Sequence, residues 1–230
     1  MVCSEMRIEV NMTLRCNLAC PNCNRLCHIF RDRTDDMSKD QIQNLINDVI
    51  DYRDRTGKKI NRIKVVGGEP FMHPDYAWIL NKLGKLVSGY CSKVKVDTNG
   101  TVKFQTDANV VISGRAPKRK IHLPYLWSPQ DLGLTVTPCR QPIVCGFSVD
   151  NKGWLPCSAA IMIARCFGLT HLYKDKMPTK VWGMDELCRH CIHAAPEDFR
   201  KQMCKPLNQI TENEKTPTSS WREALENYVR

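Results

Sequence analysis

Residues 16–23 read CNLACPNC: three cysteines, Cys16, Cys20 and Cys23, spaced Cys-x3-Cys-x2-Cys. They follow EMRIEVNM (5–12), in which Met6, Ile8, Val10 and Met12 alternate with polar residues. That alternation is strand periodicity, so the thiols belong on a loop at a strand end. Thiolates this close together call for a metal centre. A structural zinc site would close with four protein ligands, commonly as two pairs. Three local cysteines fit an iron–sulfur cluster in which one iron lacks a protein ligand and can bind something else.

The chain has 13 cysteines, an odd number, and its start, MVCSEMRIEV, has no apolar core of signal-peptide length. A cytoplasmic, reducing location is therefore expected, where such a set holds metal in preference to forming disulfides. No apolar run approaches the ~18 residues of a membrane span, so no membrane partner is expected. At 230 residues and 42% hydrophobic, the chain can bury one sizeable core plus a small appended module. The formal charge of +10 suits small anionic substrates as well as nucleic acid. The densest basic patch is only RAPKRK (115–120), so nucleic-acid binding is not supported.

SKDQIQNLINDVIDYR (38–53) predicts a helix: Ser38 and Gln41 fit a capping box, and Ile42, Leu45, Ile46, Val49 and Ile50 share a face. RIKVV (62–66) predicts a strand ending at GGEP. Pro74 opens a second helix, with Trp78, Ile79, Leu83, Leu86 and Val87 as its buried stripe. KVKVD (93–97) predicts a strand ending at TNG, and NVVIS (109–113) and IHL (121–123) are strand-like without a helix between them. Strands alternating with helices imply parallel βαβ units, with function on the loops after strand C-termini. The expected fold class is α/β: an open, truncated (β/α) barrel with a small C-terminal hairpin-plus-helix module. The expected boundaries are 1–135 for the barrel, 136–207 for the module, and 208–230 for a polar linker and terminal helix.

Cys16, Cys20 and Cys23 after a first strand, with Gly67, Gly68, Glu69 and Pro70 after the second, resemble the signature of the radical S-adenosylmethionine superfamily. The resemblance implies that the three cysteines hold a [4Fe–4S] cluster whose fourth iron chelates S-adenosylmethionine. Glycines allow close backbone approach to a ligand, and the Glu69 carboxylate can accept hydrogen bonds from the cofactor's ammonium. DTNG resembles the family's loop against the ribose or methionine part, making Thr98 and Asn99 candidates; an ordinary Asn-Gly turn is the competing reading. The residue before the third cysteine, often aromatic in that family and set against adenine, is Asn22 here. Cys27 falls outside the triplet and reads as a small buried residue.

Cys139 and Cys157 bracket a predicted hairpin with DNKG as its turn, and Cys188 and Cys191 form a later pair in LCRHC. This arrangement is similar to the Twitch module, the shorter relative of the SPASM domain. The similarity implies that these four cysteines hold an auxiliary [4Fe–4S] cluster; a tetrahedral zinc ion is the alternative. Cys145, Cys166 and Cys204 lie near enough in sequence to replace a ligand, and His190 and His193 flank Cys191. SAAIMIARCFG (158–168) predicts a buried helix capped by Ser158. SWREALENYV predicts a terminal helix with Ser220 and Glu223 as its capping box.

The leading expectation is an oxidoreductase that cleaves S-adenosylmethionine reductively, abstracts hydrogen from a small polar or anionic substrate and oxidises it with the help of the auxiliary cluster. A reducing partner such as flavodoxin or ferredoxin is implied. A peptide maturase is the first alternative, with a peptide as substrate. The other is a non-enzymatic zinc or iron–sulfur module that binds nucleic acid through its basic surface. No catalytic acid or base stands out; Arg62, Arg115, His122 and Tyr125 are candidates for inward-facing roles.

Overall fold

In the computed structural model the described residues are 6–20, 23–30, 35–114, 124–137, 139–206 and 209–229. Asn22, Cys3, Arg115, His122, the basic patch at 115–120 and the strand expected at 121–123 lie outside them. The described strands form one six-stranded sheet in the order β4-β3-β2-β1-β5-β6. These are β1 (Arg7–Asn11), β2 (Arg62–Val66), β3 (Val94–Thr98), β4 (Val111–Gly114), β5 (Phe147–Asp150) and β6 (Gly153–Leu155). Neighbours from β4 through β5 pair in parallel, and only β5–β6 is antiparallel. The hairpin seen in the sequence as part of a separate module is thus continuous with the sheet, through β5 against β1.

Each side of the sheet follows from alternation. Ile8, Val10, Ile63, Val65, Val94 and Val96 point to one side and meet helices α1 (Lys39–Thr56) and α2 (Tyr76–Gly84). Helix α1 starts at the expected capping box, Ser38 with Gln41, and ends at Gly57 in the left-handed conformation. Helix α2 starts two residues beyond Pro74, and Leu80 joins its buried stripe. Trp154 of β6 reaches the same layer and donates its indole N–H to Asp48 of α1 at 2.7 Å.

A second core lies on the opposite side. Helix α4 (Ala160–Cys166) is buried all round, as its composition predicts. Its N-cap position is Ala159, so Ser158 does not cap it. Around it pack Leu26, Cys27 and Phe30 of the first cysteine loop, Leu187 of α5 (Met184–Arg189) and Trp221 of α8 (Ser219–Val229). Short helices α3 (Gln141–Val144), α6 (Glu197–Met203) and α7 (Glu212–Lys215) complete the set. Helix α7 occupies the stretch that reads as linker; Thr211 and Glu214 make a capping box there. Ser220 is already inside α8, and its N–H and hydroxyl go to Asp131 instead of to Glu223. No described helix is long and apolar enough to cross a membrane.

Candidate functional site

The cysteine loop leaves β1 and is held by the loop after β2. The N–H of Gly68 donates to the carbonyl of Thr13 at 2.8 Å, and that of Glu69 to the carbonyl of Arg15 at 2.7 Å. These bonds continue the β1–β2 ladder beyond the strands. Gly67 has φ 150°, and a Cβ there would collide with the Thr13 carbonyl; a Cβ on Gly68 would collide with the Arg15 carbonyl. The paired glycines are therefore demanded by contact with the cysteine loop itself, a reason the sequence does not disclose.

Glu69 is fully buried, and its carboxylate joins two loops. Oε1 accepts from the Thr98 hydroxyl at 2.7 Å and the Phe71 N–H at 3.2 Å, while Oε2 accepts from the Asn99 N–H at 2.7 Å. A carboxylate has about four lone-pair directions, so one on Oε2 stays available to a ligand donor. The Asn99 amide in turn reaches the Cys16 sulfur at 3.9 Å and Asn17 at 3.0 Å. Pro70 starts a 3-10 turn (Pro70–Met72), with Pro70 and Phe71 buried, at the end of this loop. Of the expected cofactor residues, Gly68, Glu69 and Asn99 thus lie by Cys16, with Gly67, Pro70 and Thr98 in the same two loops; Asn22 lies outside the described residues.

The three thiols share one electrostatic neighbourhood. Burial and the neighbouring thiolates raise the Cys20 thiol, and burial raises Cys16. Cys23 is held well below the usual thiol range by a hydrogen bond from Cys27 and a further one from His28. Cys27 is buried, as expected, and is pushed up by the same bond. The thiolate of Cys23 opposes ionisation of Cys16 and Cys20, and a bound cationic centre would offset that opposition as their protons leave.

Two aspartates clamp the far end of this loop. Asp36 accepts from the Thr13 hydroxyl at 2.6 Å and Arg15 Nε at 2.8 Å. Asp35 pairs with Arg165 of α4, whose guanidinium also pairs with Asp150 of β5 at 2.7 Å. Arg25, two residues past Cys23, is buried; it pairs with Glu9 and donates to the Ser158 carbonyl at 2.9 Å. It therefore ties the first cysteine loop to the residue beside Cys157.

The four cysteines of the second set influence one another. Cys139 and Cys188 share a hydrogen bond that lowers the first and raises the second. Burial raises Cys157, and it pushes Cys191 up to about 12; both feel the thiolate of Cys139. Cys145 donates instead to Gln141 Oε1 at 2.9 Å, and Cys204 is exposed. His190 stacks on Phe167 with centroids 3.7 Å apart, and His193 packs against Tyr125 and lies 3.4 Å from Gln141. The buried His193 imidazole is held down at about 4. Among the described residues, no three His, Cys, Asp or Glu side chains converge on the position of a single metal ion.

No family model matches the chain. No curated protein matches it. Among solved structures, selenomethionine BtrN in an open conformation is 14% identical over 92% of this chain and 91% of that one, with a TM-score of 0.44. BtrN in complex with AdoMet and 2-DOIA is 16% identical over 88% of each chain, also at 0.44. At that TM-score neither likeness establishes a common fold or a function.

The arrangement offers three thiols beside a loop whose backbone and buried carboxylate can receive a polar ligand, and Arg25 links that loop to Ser158, next to Cys157 of the second set. The bridging role of Arg25 and the clamp of Asp35 and Asp36 carry no local sequence signal, because each depends on partners far along the chain.

Proposed function

We propose that the chain is a radical S-adenosylmethionine enzyme that oxidises a small polar or anionic substrate. One observation carries this reading: the cysteine loop, GGEP and TNG occupy the ends of adjacent parallel strands β1, β2 and β3 and are bonded to one another through Gly68 and Glu69.

In this reading Cys16, Cys20 and Cys23 hold a [4Fe–4S] cluster. Such a cluster would supply the single electron needed to cleave S-adenosylmethionine reductively, and with it the means of removing hydrogen from a substrate. Glu69 keeps the loops after β2 and β3 closed on the site, leaving one Oε2 lone pair for the ammonium of S-adenosylmethionine. Asn99 and Thr98 set the wall beside Cys16. Cys139, Cys157, Cys188 and Cys191 hold an auxiliary [4Fe–4S] cluster, with zinc as the competing occupant. A one-electron reductant such as flavodoxin or ferredoxin completes the system.

The test is anaerobic reconstitution with iron and sulfide, followed by reduction in the presence of S-adenosylmethionine. Formation of 5′-deoxyadenosine and methionine, lost in a Cys16→Ala variant, is expected. Absence of deoxyadenosine from a chain fully loaded with iron and sulfide sinks the reading.

A further inference from the structure

The face of the sheet turned away from α1 and α2 buries a row of charges. Glu9 of β1 accepts from Arg25 and from Lys64 of β2, the latter at 3.1 Å. Lys64 also pairs with Asp97 of β3 at 3.1 Å, and Lys95 approaches the same carboxylate at 3.4 Å. Glu9 and Asp97 are 1% and 7% exposed. Desolvating Glu9, Arg25 and Asp97, with Lys64 largely buried between them, costs more than their mutual attraction readily returns, so the row is poorly explained by stability alone. Among the described residues the row's three cations outnumber its two carboxylates by one.

Asn11 stands two residues beyond Glu9 on β1 and so on the same face, toward the cysteine loop. It is 3% exposed, and among the described residues neither Nδ2 nor Oδ1 has a hydrogen-bond partner. A buried amide in that condition costs the desolvation of both its groups, and such an exception in a native structure demands an explanation. Thr13, the next residue on this side, is satisfied by Asp36. Asn11 is thus a buried side chain whose two amide groups are both unmet, on the part of this face next to the cysteine loop.

We infer that Asn11 and the Lys64–Asp97–Lys95 end of the row form a binding face for a hydroxylated small molecule carrying one carboxylate or phosphate. The amide presents a donor and an acceptor in one plane, which a hydroxyl can satisfy in both senses. The excess cation favours a negative group, and Lys95, whose side chain is 32% exposed, has ammonium donors to spare beyond its long contact with Asp97. That this ligand is the substrate rests on the radical-enzyme reading; its binding rests on the geometry alone.

The experiment uses the full chain, purified anaerobically, without S-adenosylmethionine or reductant. The probes are gluconate and 6-phosphogluconate, with neutral sorbitol as the comparison, followed by thermal unfolding and calorimetric titration. At least one anion is expected to bind saturably and raise the unfolding midpoint, while sorbitol at equal concentration does not. Asn11→Leu should raise the midpoint of the free protein, because an apolar isostere removes the unmet amide, and should weaken the anion about tenfold. Lys95→Met, at a partly exposed position that tolerates change, should weaken it similarly with the free protein's midpoint unmoved. Equal response to sorbitol, no binding by either anion, unchanged affinity in both variants, or a lowered midpoint in Asn11→Leu would overturn the assignment. Anion binding with this variant pattern but no deoxyadenosine from the reconstituted enzyme would support the site and overturn only the radical reading.

Discussion

The carboxylate of Glu69 accepts the backbone N–H of Asn99 at 2.7 Å, fastening the loop after β2 to the loop after β3. Because Glu69 is fully buried and also holds Thr98 and Phe71, it acts as a joint for the whole site. Glu69→Gln keeps the shape but turns one oxygen into a donor facing other donors. The expected loss is about 1–3 kcal/mol of stability, read by denaturant unfolding, together with weaker S-adenosylmethionine binding by calorimetry.

Gly68→Ala tests whether the glycine serves the cysteine loop. Its added methyl must displace the Arg15 carbonyl and with it Cys16. The variant is expected to retain the far-ultraviolet circular dichroism of the fold while losing iron from the first site, measured against the second-site cysteine variants.

The second cysteine set predicts a clean contrast. Cys139→Ala or Cys188→Ala should remove the metal of that site, whether iron or zinc, by elemental analysis. Cys145→Ala should leave it in place, since the Cys145 thiol is engaged with Gln141.

Acid should weaken the protein partly through Glu9. Burial by itself would raise this carboxyl, but Arg25 and Lys64 more than offset that and hold it below the usual carboxylate range. The unfolded chain takes up this proton near pH ~4.3. The stabilisation is therefore present above that pH and lost as pH falls through the lower folded value. Glu9→Gln leaves Arg25 and Lys64 without their partner, costing about 3–5 kcal/mol at neutral pH. It should also flatten the fall of the unfolding midpoint below pH ~4.3.

Arg165→Met removes the cation that holds Asp35 and Asp150 together. Two buried or half-buried carboxylates are then left facing each other. A loss of about 3–5 kcal/mol is expected, with faster release of iron to a chelator as the cysteine loop loosens.

The sequence by itself determined the features that are local. The alternation around Ile8 and Val10, the Ser38–Gln41 capping box, the apolar run of α4 and the cysteine spacings each lie within a few residues, so periodicity and cap chemistry expose them. Short-range reading failed at Ser220, where a neighbour in space outbids local cap preference; Asp131 takes the Ser220 hydroxyl from 89 positions away. Only the tertiary structure decided why GGEP needs both glycines, which carboxylate joins the loops, and that Arg25 connects the first cysteine loop to Ser158 across 133 positions. It also decided that Asn11 is buried with its amide unmet beside a row of charges. Such relationships arise when parallel strands bring distant segments side by side, and no local period in the chain records them.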